Sequence, residues 1–187
     1  MPVTVTPETF TMVSFDAAQI AALTEELLAK VGIDADADVR VEVNEHSPLG
    51  WAVVGALDPV TLRIESGALE DPKRPRQLSV PGAQNIIGRL LLEASDRLDP
   101  AFGAPALDEK LDPAPANAWE TYCAGRLDSL GYRHFNQHQR RIYHFRNRHG
   151  FTDASDAAFE TLWAADGLTW DDLRGLSDQA LAASTPA

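Results

Sequence analysis

Val39-Arg40-Val41-Glu42-Val43-Asn44 alternates β-branched apolar residues with polar ones, the period of a strand that buries one face and wets the other. A helix face does not repeat every second residue, so this stretch rules out an all-helical chain. Working outward, residues 51–57 are an apolar run of strand length and residues 60–65 alternate again, with Asp58-Pro59 as the turn between them. The expectation is about three short strands, the last two joined in a tight hairpin. On the N-terminal side, Ile20, Leu23, Leu27 and Leu28 share one helical face within residues 15–31, where Ser14 or Asp16 can cap and Gly32 follows. On the C-terminal side, a loop rich in proline and basic residues (71–76) precedes a second core helix over 83–98, with Ile87, Leu90, Leu91, Ala94 and Leu98 on its stripe.

The fold class is therefore α+β: residues 1–98 form a small β-sheet packed by helices, and a helical C-terminal subdomain follows. Between them, residues 99–116 carry Pro100, Pro105, Pro113 and Pro115 among Ala and Asp, which reads as a linker or surface arm. Residues 117–187 are helical by pattern, with a short C-terminal tail. Asn117 can cap a helix that Gly131 stops, a second runs from about Asn136 to His149 before Gly150, and a third follows Thr152 or Asp153. A fourth opens at Thr169-Trp170-Asp171-Asp172, a capping box with Asp in place of Glu. Phe159, Leu162, Trp163, Leu168, Trp170, Leu173 and Leu176 are its candidate core.

The composition is that of a globular chain: 187 residues, 44% hydrophobic and 24% charged. A net charge of −12 opposes general attraction to nucleic acid or anionic lipid, so any polyanion contact has to be local. The start lacks the positive and apolar regions of a signal peptide, and no run approaches the ~20 apolar residues of a membrane span. The expected location is cytoplasmic, with no membrane partner. Cys123, the single cysteine, reads as a small buried hydrophobe.

One segment departs from this ordinary background: Tyr132-Arg133-His134-Phe135-Asn136-Gln137-His138-Gln139-Arg140-Arg141-Ile142-Tyr143-His144-Phe145-Arg146-Asn147-Arg148-His149. It holds five arginines, four histidines and four aromatics, and no acid stands between Asp128 and Asp153. The remainder of the chain carries all 28 acids against eleven bases. Charge is strongly segregated.

Three chemistries fit such a segment. His134, His138 and His144 have the spacing of three zinc ligands, and these eleven positions resemble the metzincin signature HExxHxxGxxH. That resemblance implies zinc as cofactor and an atypical or inactive zincin-like metal-dependent hydrolase. Phe135 stands where the family has its glutamate base and Arg141 where it has its glycine turn. The element order of residues 15–98, a helix, strands and a helix, also resembles small zincin-like metalloproteins, but the second helix opens Ala83-Gln84-Asn85-Ile86-Ile87-Gly88-Arg89 without HExxH.

The second chemistry is nucleic-acid binding, through arginine forks interleaved with Tyr132, Phe135, Tyr143 and Phe145. A helix-turn-helix form of it is opposed by Asp153, Asp156 and Glu160 in the helix that follows. The third is association with an acidic protein surface, of a partner, of a second copy or of this chain's own N-terminal region, where Glu25, Glu26, Asp34, Asp36 and Asp38 stand. Against all three stands a purely structural role, since Leu127, Leu130, His134, His138, Ile142 and Phe145 would share a stripe if one helix were continuous.

Elsewhere, Glu45-His46 at a strand end, with Glu42 and Arg63 on the exposed sheet face, reads as a solvated turn and a cross-strand ion pair. No phosphate loop, nucleophile elbow or cofactor fingerprint is present in the sequence. The leading expectation is a non-catalytic interaction or regulatory protein, needing no cofactor. Its contacts run through Arg133, Arg140, Arg141, Tyr143, Arg146 and Arg148 to a protein partner or a second copy.

Overall fold

The computed structural model describes residues 3–34, 36–134 and 137–184. Phe135, at the glutamate position of the metzincin motif, and Asn136, the expected start of the second C-terminal helix, lie outside the described residues. The chain divides into two compact units, Met1–Leu98 and Asp99–Ala187.

In the first unit, strand β1 (Thr4–Thr6) leads to helix α1 (Ala17–Val31), whose Asp16 side chain accepts from the Ala18 amide and whose end is turned by Gly32 at φ 78°. Only glycine takes that left-handed conformation at little cost. Strands β2 (Val39–Asn44), β3 (Ala52–Leu57) and β4 (Val60–Glu65) follow where the alternation places them. The sheet has the order β1-β2-β4-β3, with β1, β2 and β4 parallel and β3 antiparallel to β4. Val39, Val41 and Val43 are buried while Arg40, Glu42 and Asn44 are exposed, as a one-sided strand requires. Glu42 and Arg63 are register partners, and their side chains form an exposed ion pair at 3.2 Å.

Two features correct the sequence reading. The main sheet has four strands rather than about three, because Thr4–Thr6 pairs in parallel with Arg40–Glu42, a partnership that no local pattern announces. The stretch 71–76 is not a plain loop: β5 (Glu70–Asp71) and β6 (Arg74–Leu78) make a small hairpin. Within it the Glu70 carboxylate takes the Arg76 amide at 2.9 Å, and from outside the Ser14 amide donates to the Arg76 carbonyl at 2.7 Å. Helix α2 (Val80–Leu98) closes the unit, packing on α1, β3 and β4.

The second unit contains α3 (Pro113–Ser129), α4 (Gln137–His149), α5 (Asp153–Ala164) and α6 (Trp170–Ser184). Helix α3 begins inside the stretch read as an arm, with Asp112 and not Asn117 at its cap. Pro113 and Pro115 fit because first-turn residues have no intrahelical acceptor for the N–H that proline lacks. Phe102, from the same stretch, is buried against Trp119, which in turn meets Trp170, both ring pairs 5.3 Å apart. Helix α3 touches each of the other three helices. Its approach to α5 requires Gly125, where a Cβ would stand 2.1 Å from the Trp163 carbonyl oxygen. The expected caps are present: Gly150 ends α4 at φ 95°, Thr152 accepts from the Ser155 amide, and Thr169 and Asp172 exchange hydrogen bonds. Phe159, Leu162, Trp170 and Leu173 are buried, with Trp163, Leu168 and Leu176 partly so. No helix among the described residues is long and apolar enough to cross a membrane.

Candidate functional site

Helix α4 carries few apolar residues, so its faces are sorted by polar chemistry. It buries Gln137, Phe145 and His149, spaced so that the last two lie one turn apart on the face toward the core. The His149 ring stacks on Phe145 at 3.8 Å between centroids. Its Nδ1 lies 3.1 Å from the Phe145 carbonyl and its Nε2 2.9 Å from Ser177 Oγ of α6. A carbonyl only accepts, so Nδ1 carries the proton and Nε2 accepts from the serine hydroxyl. Burial pushes the His149 pKa down, and the bond to Phe145 offsets part of that. Ser155 of α5 donates to the His149 carbonyl at 3.0 Å, so three helices meet at this one residue. His149, Ser155 and Ser177 are each fully buried, which leaves no path for a substrate to this serine–histidine pair.

The flanks of α4 meet acids of the neighbouring helices. Arg146 forks onto Asp156 of α5 with both contacts at 2.6 Å, and its hydrogen bonds hold the Asp156 carboxyl below the usual range. Arg141 reaches Glu120 of α3 at 2.8 Å. His138 lies edge-on to Phe159 and Trp163 of α5, with its Nε2 3.3 Å from Glu160. Ahead of the helix, Arg133 stands 3.6 Å from Asp128 with 78% of its side chain exposed. Sequence reasoning missed these pairings. Asp156 and Glu160 were visible as the acids that make α5 a poor DNA-reading helix, but nothing local says that they frame α4.

The outward face is different. Arg140, Tyr143, His144, Asn147 and Arg148 are exposed, and Arg140 and Arg148 have no ion pair among the described residues. Tyr143 is 57% exposed and Phe151, just past the helix, 64%, their rings 6.1 Å apart. Between α3 and α4 an open groove of about 430 Å³ is lined by Asn117, Glu120, Arg141, His144, Asn147 and Arg148. Phe151 and Asn147 were not among the contact residues singled out by sequence, and Asn117 entered only as a helix cap. An aromatic directly after the Gly150 stop was the one available signal.

The three histidines with metal-ligand spacing are not brought together. His134 precedes α4, His138 faces α5, and His144 lines the groove beside α3. The reason is Arg141: without a glycine turn the helix continues, and six residues of helix rotate His144 by about 240° from His138. Among the described residues no group of three or more His, Cys, Asp or Glu could hold a metal ion. The predicted stripe is broken likewise, because α3 ends at Ser129 and Leu130 is exposed. Cys123 is a buried free thiol on α3. Comparison with known proteins returned no relative: no family model, curated protein or solved structure matches the chain.

Proposed function

We propose that the protein is a non-catalytic interaction or regulatory protein that docks the outward face of α4 on an acidic protein surface. The observation that carries this reading is that the basic segment is only partly neutralised by its own chain. Arg141 and Arg146 are spent on Glu120 and Asp156, whereas Arg140 and Arg148 remain unpaired among the described residues, on the exposed face that also carries Tyr143. Exposed arginine beside exposed aromatic rings is the composition of interface anchors. With 28 acidic side chains against 16 basic ones, a second copy of the chain is itself an acidic surface. The same excess repels an extended polyanion beyond the patch, which favours protein over nucleic acid. A buried free thiol suits a reducing compartment, and the proposal places the protein in the cytoplasm.

The test is a double variant, Arg140→Glu with Arg148→Glu, in co-purification and solution-mass measurements. Loss of a bound partner or of a dimer, with an unchanged circular dichroism spectrum, is the expected result. Tight nucleic-acid binding by the wild type, falling with salt by a log–log slope of roughly −0.7 to −0.9 per phosphate and lost in the variant, would overturn it.

A further inference from the structure

We propose that the free edge of strand β3 is a self-pairing surface, on which a second copy of the chain lays its own β3 antiparallel about a two-fold axis at Val53. Strand β3 ends the sheet order β1-β2-β4-β3 and packs on β4 and α2. The Glu65 amide donates to the Trp51 carbonyl at 2.9 Å and Val53 stands opposite Arg63, so the main chain of Trp51 and Val53 faces β4. In an antiparallel ladder successive residues turn their N–H and C=O groups to opposite sides, which leaves those of Ala52 and Val54 on the open side. Neither residue has a hydrogen-bond partner there among the described residues. The other edges are protected. Strand β1 is three residues long and runs into Pro7, and β6 carries Arg74, Pro75 and Arg76. Short length, proline and charge are what keep a strand edge from pairing with another chain. Strand β3 reads Ala52-Val53-Val54-Gly55-Ala56-Leu57, with neither charge nor proline. Just ahead of it, Leu49 and Trp51 are 65% and 50% exposed.

What commits this edge to a copy of itself is its register. With Val53 on the axis, Ala52 of each copy exchanges hydrogen bonds with Val54 of the other, which satisfies every open main-chain group of those residues. Trp51, Val53 and Gly55 share the face of Arg63, because Val53 is its register partner and the Arg63 Cδ and Nε lie 3.0 Å from where a Gly55 Cβ would stand. On that face Val53 meets Val53 at the closest cross-strand approach, and Trp51 falls opposite Gly55 of the second copy. No side chain of Gly55 blocks the indole there, and the Arg63 side chain that crosses it is a cation for the ring to stack on. The strand holds no acid or base, so pairing sets no like charges face to face although each chain carries −12. The register shift between Val54 and Ala56 ends the regular ladder, and each copy uses up its one open edge, so the assembly closes as a dimer.

This surface lies in the first unit and goes beyond the reading of α4. Sedimentation equilibrium of the full chain and its variants is the experiment. The wild type should approach twice its 20.3 kDa at sub-millimolar concentration. Val53→Lys and Val53→Glu each set like charges against each other on the axis, and each should raise the dissociation constant about tenfold or more. An equimolar mixture of the two should dimerise again, because lysine then meets glutamate. Trp51→Ala, at a half-exposed position, should weaken the dimer with an unchanged denaturation midpoint. Arg140→Glu with Arg148→Glu should leave this pairing intact, which separates its fate from that of the α4 reading. A wild type that stays monomeric, or one held by a different protein that Val53→Lys releases, would overturn the second copy as occupant. So would a dimer that only the Arg140 and Arg148 variant dissolves, Trp51→Ala pairing like the wild type, or Val53 variants that keep the wild-type circular dichroism spectrum yet stay monomeric when mixed.

Discussion

Helix α2 turns Ala83, Ile87, Leu90, Leu91, Leu92 and Ala94 into buried positions, whereas α4 buries one apolar side chain, Phe145, together with Gln137 and His149. Both helices are long, cleanly terminated and well packed, yet different forces hold them. For α2 the nonpolar area removed from water is the main contribution, at about 25 cal/mol per Å² and without regard to direction, beside the buried Arg89 and Asp96 and the Arg97–Glu93 pair. For α4 the same role falls to directed contacts: the Phe145–His149 stack, the His149–Ser177 hydrogen bond, the Arg146–Asp156 fork and the Arg141–Glu120 pair. A helix held by direction can be displaced by removing one anchor, and one held by area cannot.

That contrast is broken or sharpened first by large-to-small substitutions. Leu91→Ala and Phe145→Ala remove fully buried side chains and should destabilise by about 2–5 and 3–5 kcal/mol respectively. The informative difference is local. Hydrogen exchange should speed selectively across α4 in Phe145→Ala while α3 and α5 stay protected, whereas α2 in Leu91→Ala should keep several apolar anchors and weaken only with its whole unit. Amides of α4 as protected in Phe145→Ala as in the wild type would remove the distinction.

A middle-sized effect concerns His149. Its pKa is lowered in the folded chain from an ordinary 6.5, chiefly by burial, so as pH falls below that value the unfolded chain takes up a proton that the folded chain refuses. Stability from this residue is intact above about pH 6.5 and declines from there down toward the depressed folded value. Asp156, also depressed, acts in a lower window: its contribution is present above the ordinary value of 3.8 and is lost as pH falls below that toward its folded value. Denaturation midpoints of wild type and His149→Gln across pH 7.5 to 5 separate the two. The variant should start less stable and lose less on acidification, and parallel curves would mean that the buried imidazole is not the titrating group.

The smallest effect belongs to the Arg146–Asp156 fork, since both side chains are about one-third exposed and water screens the pair. A double-mutant cycle with Arg146→Gln and Asp156→Asn should give a measurable coupling well below the Phe145→Ala loss and smaller still in high salt. Coupling as large as that of the Phe145 anchor would show that charge, rather than the stack and the buried histidine, positions α4.

Much of this architecture was legible before any coordinates. The alternation of Val39–Asn44, the helical stripe of α1, the stops at Gly32 and Gly150 and the capping residues Thr152 and Thr169 with Asp172 are relations between residues two to four apart. At those distances backbone geometry alone decides which side chains meet, so a sequence determines them by itself. The short β1, the β5–β6 hairpin and the early start of α3 at Pro113 escaped because each depends on a partner elsewhere or on a turn tolerant of proline. The segment 132–149 shows the same limit at the site. Its excess of charge was plain in the sequence, but whether Arg141, Arg146 and His138 were free depended on Glu120, Asp156 and Glu160, which stand 21, 10 and 22 residues away. Only the tertiary structure decided that these three face acids while Arg140 and Arg148 do not, because a long flexible side chain takes whichever counter-charge the packing of separate helices sets beside it.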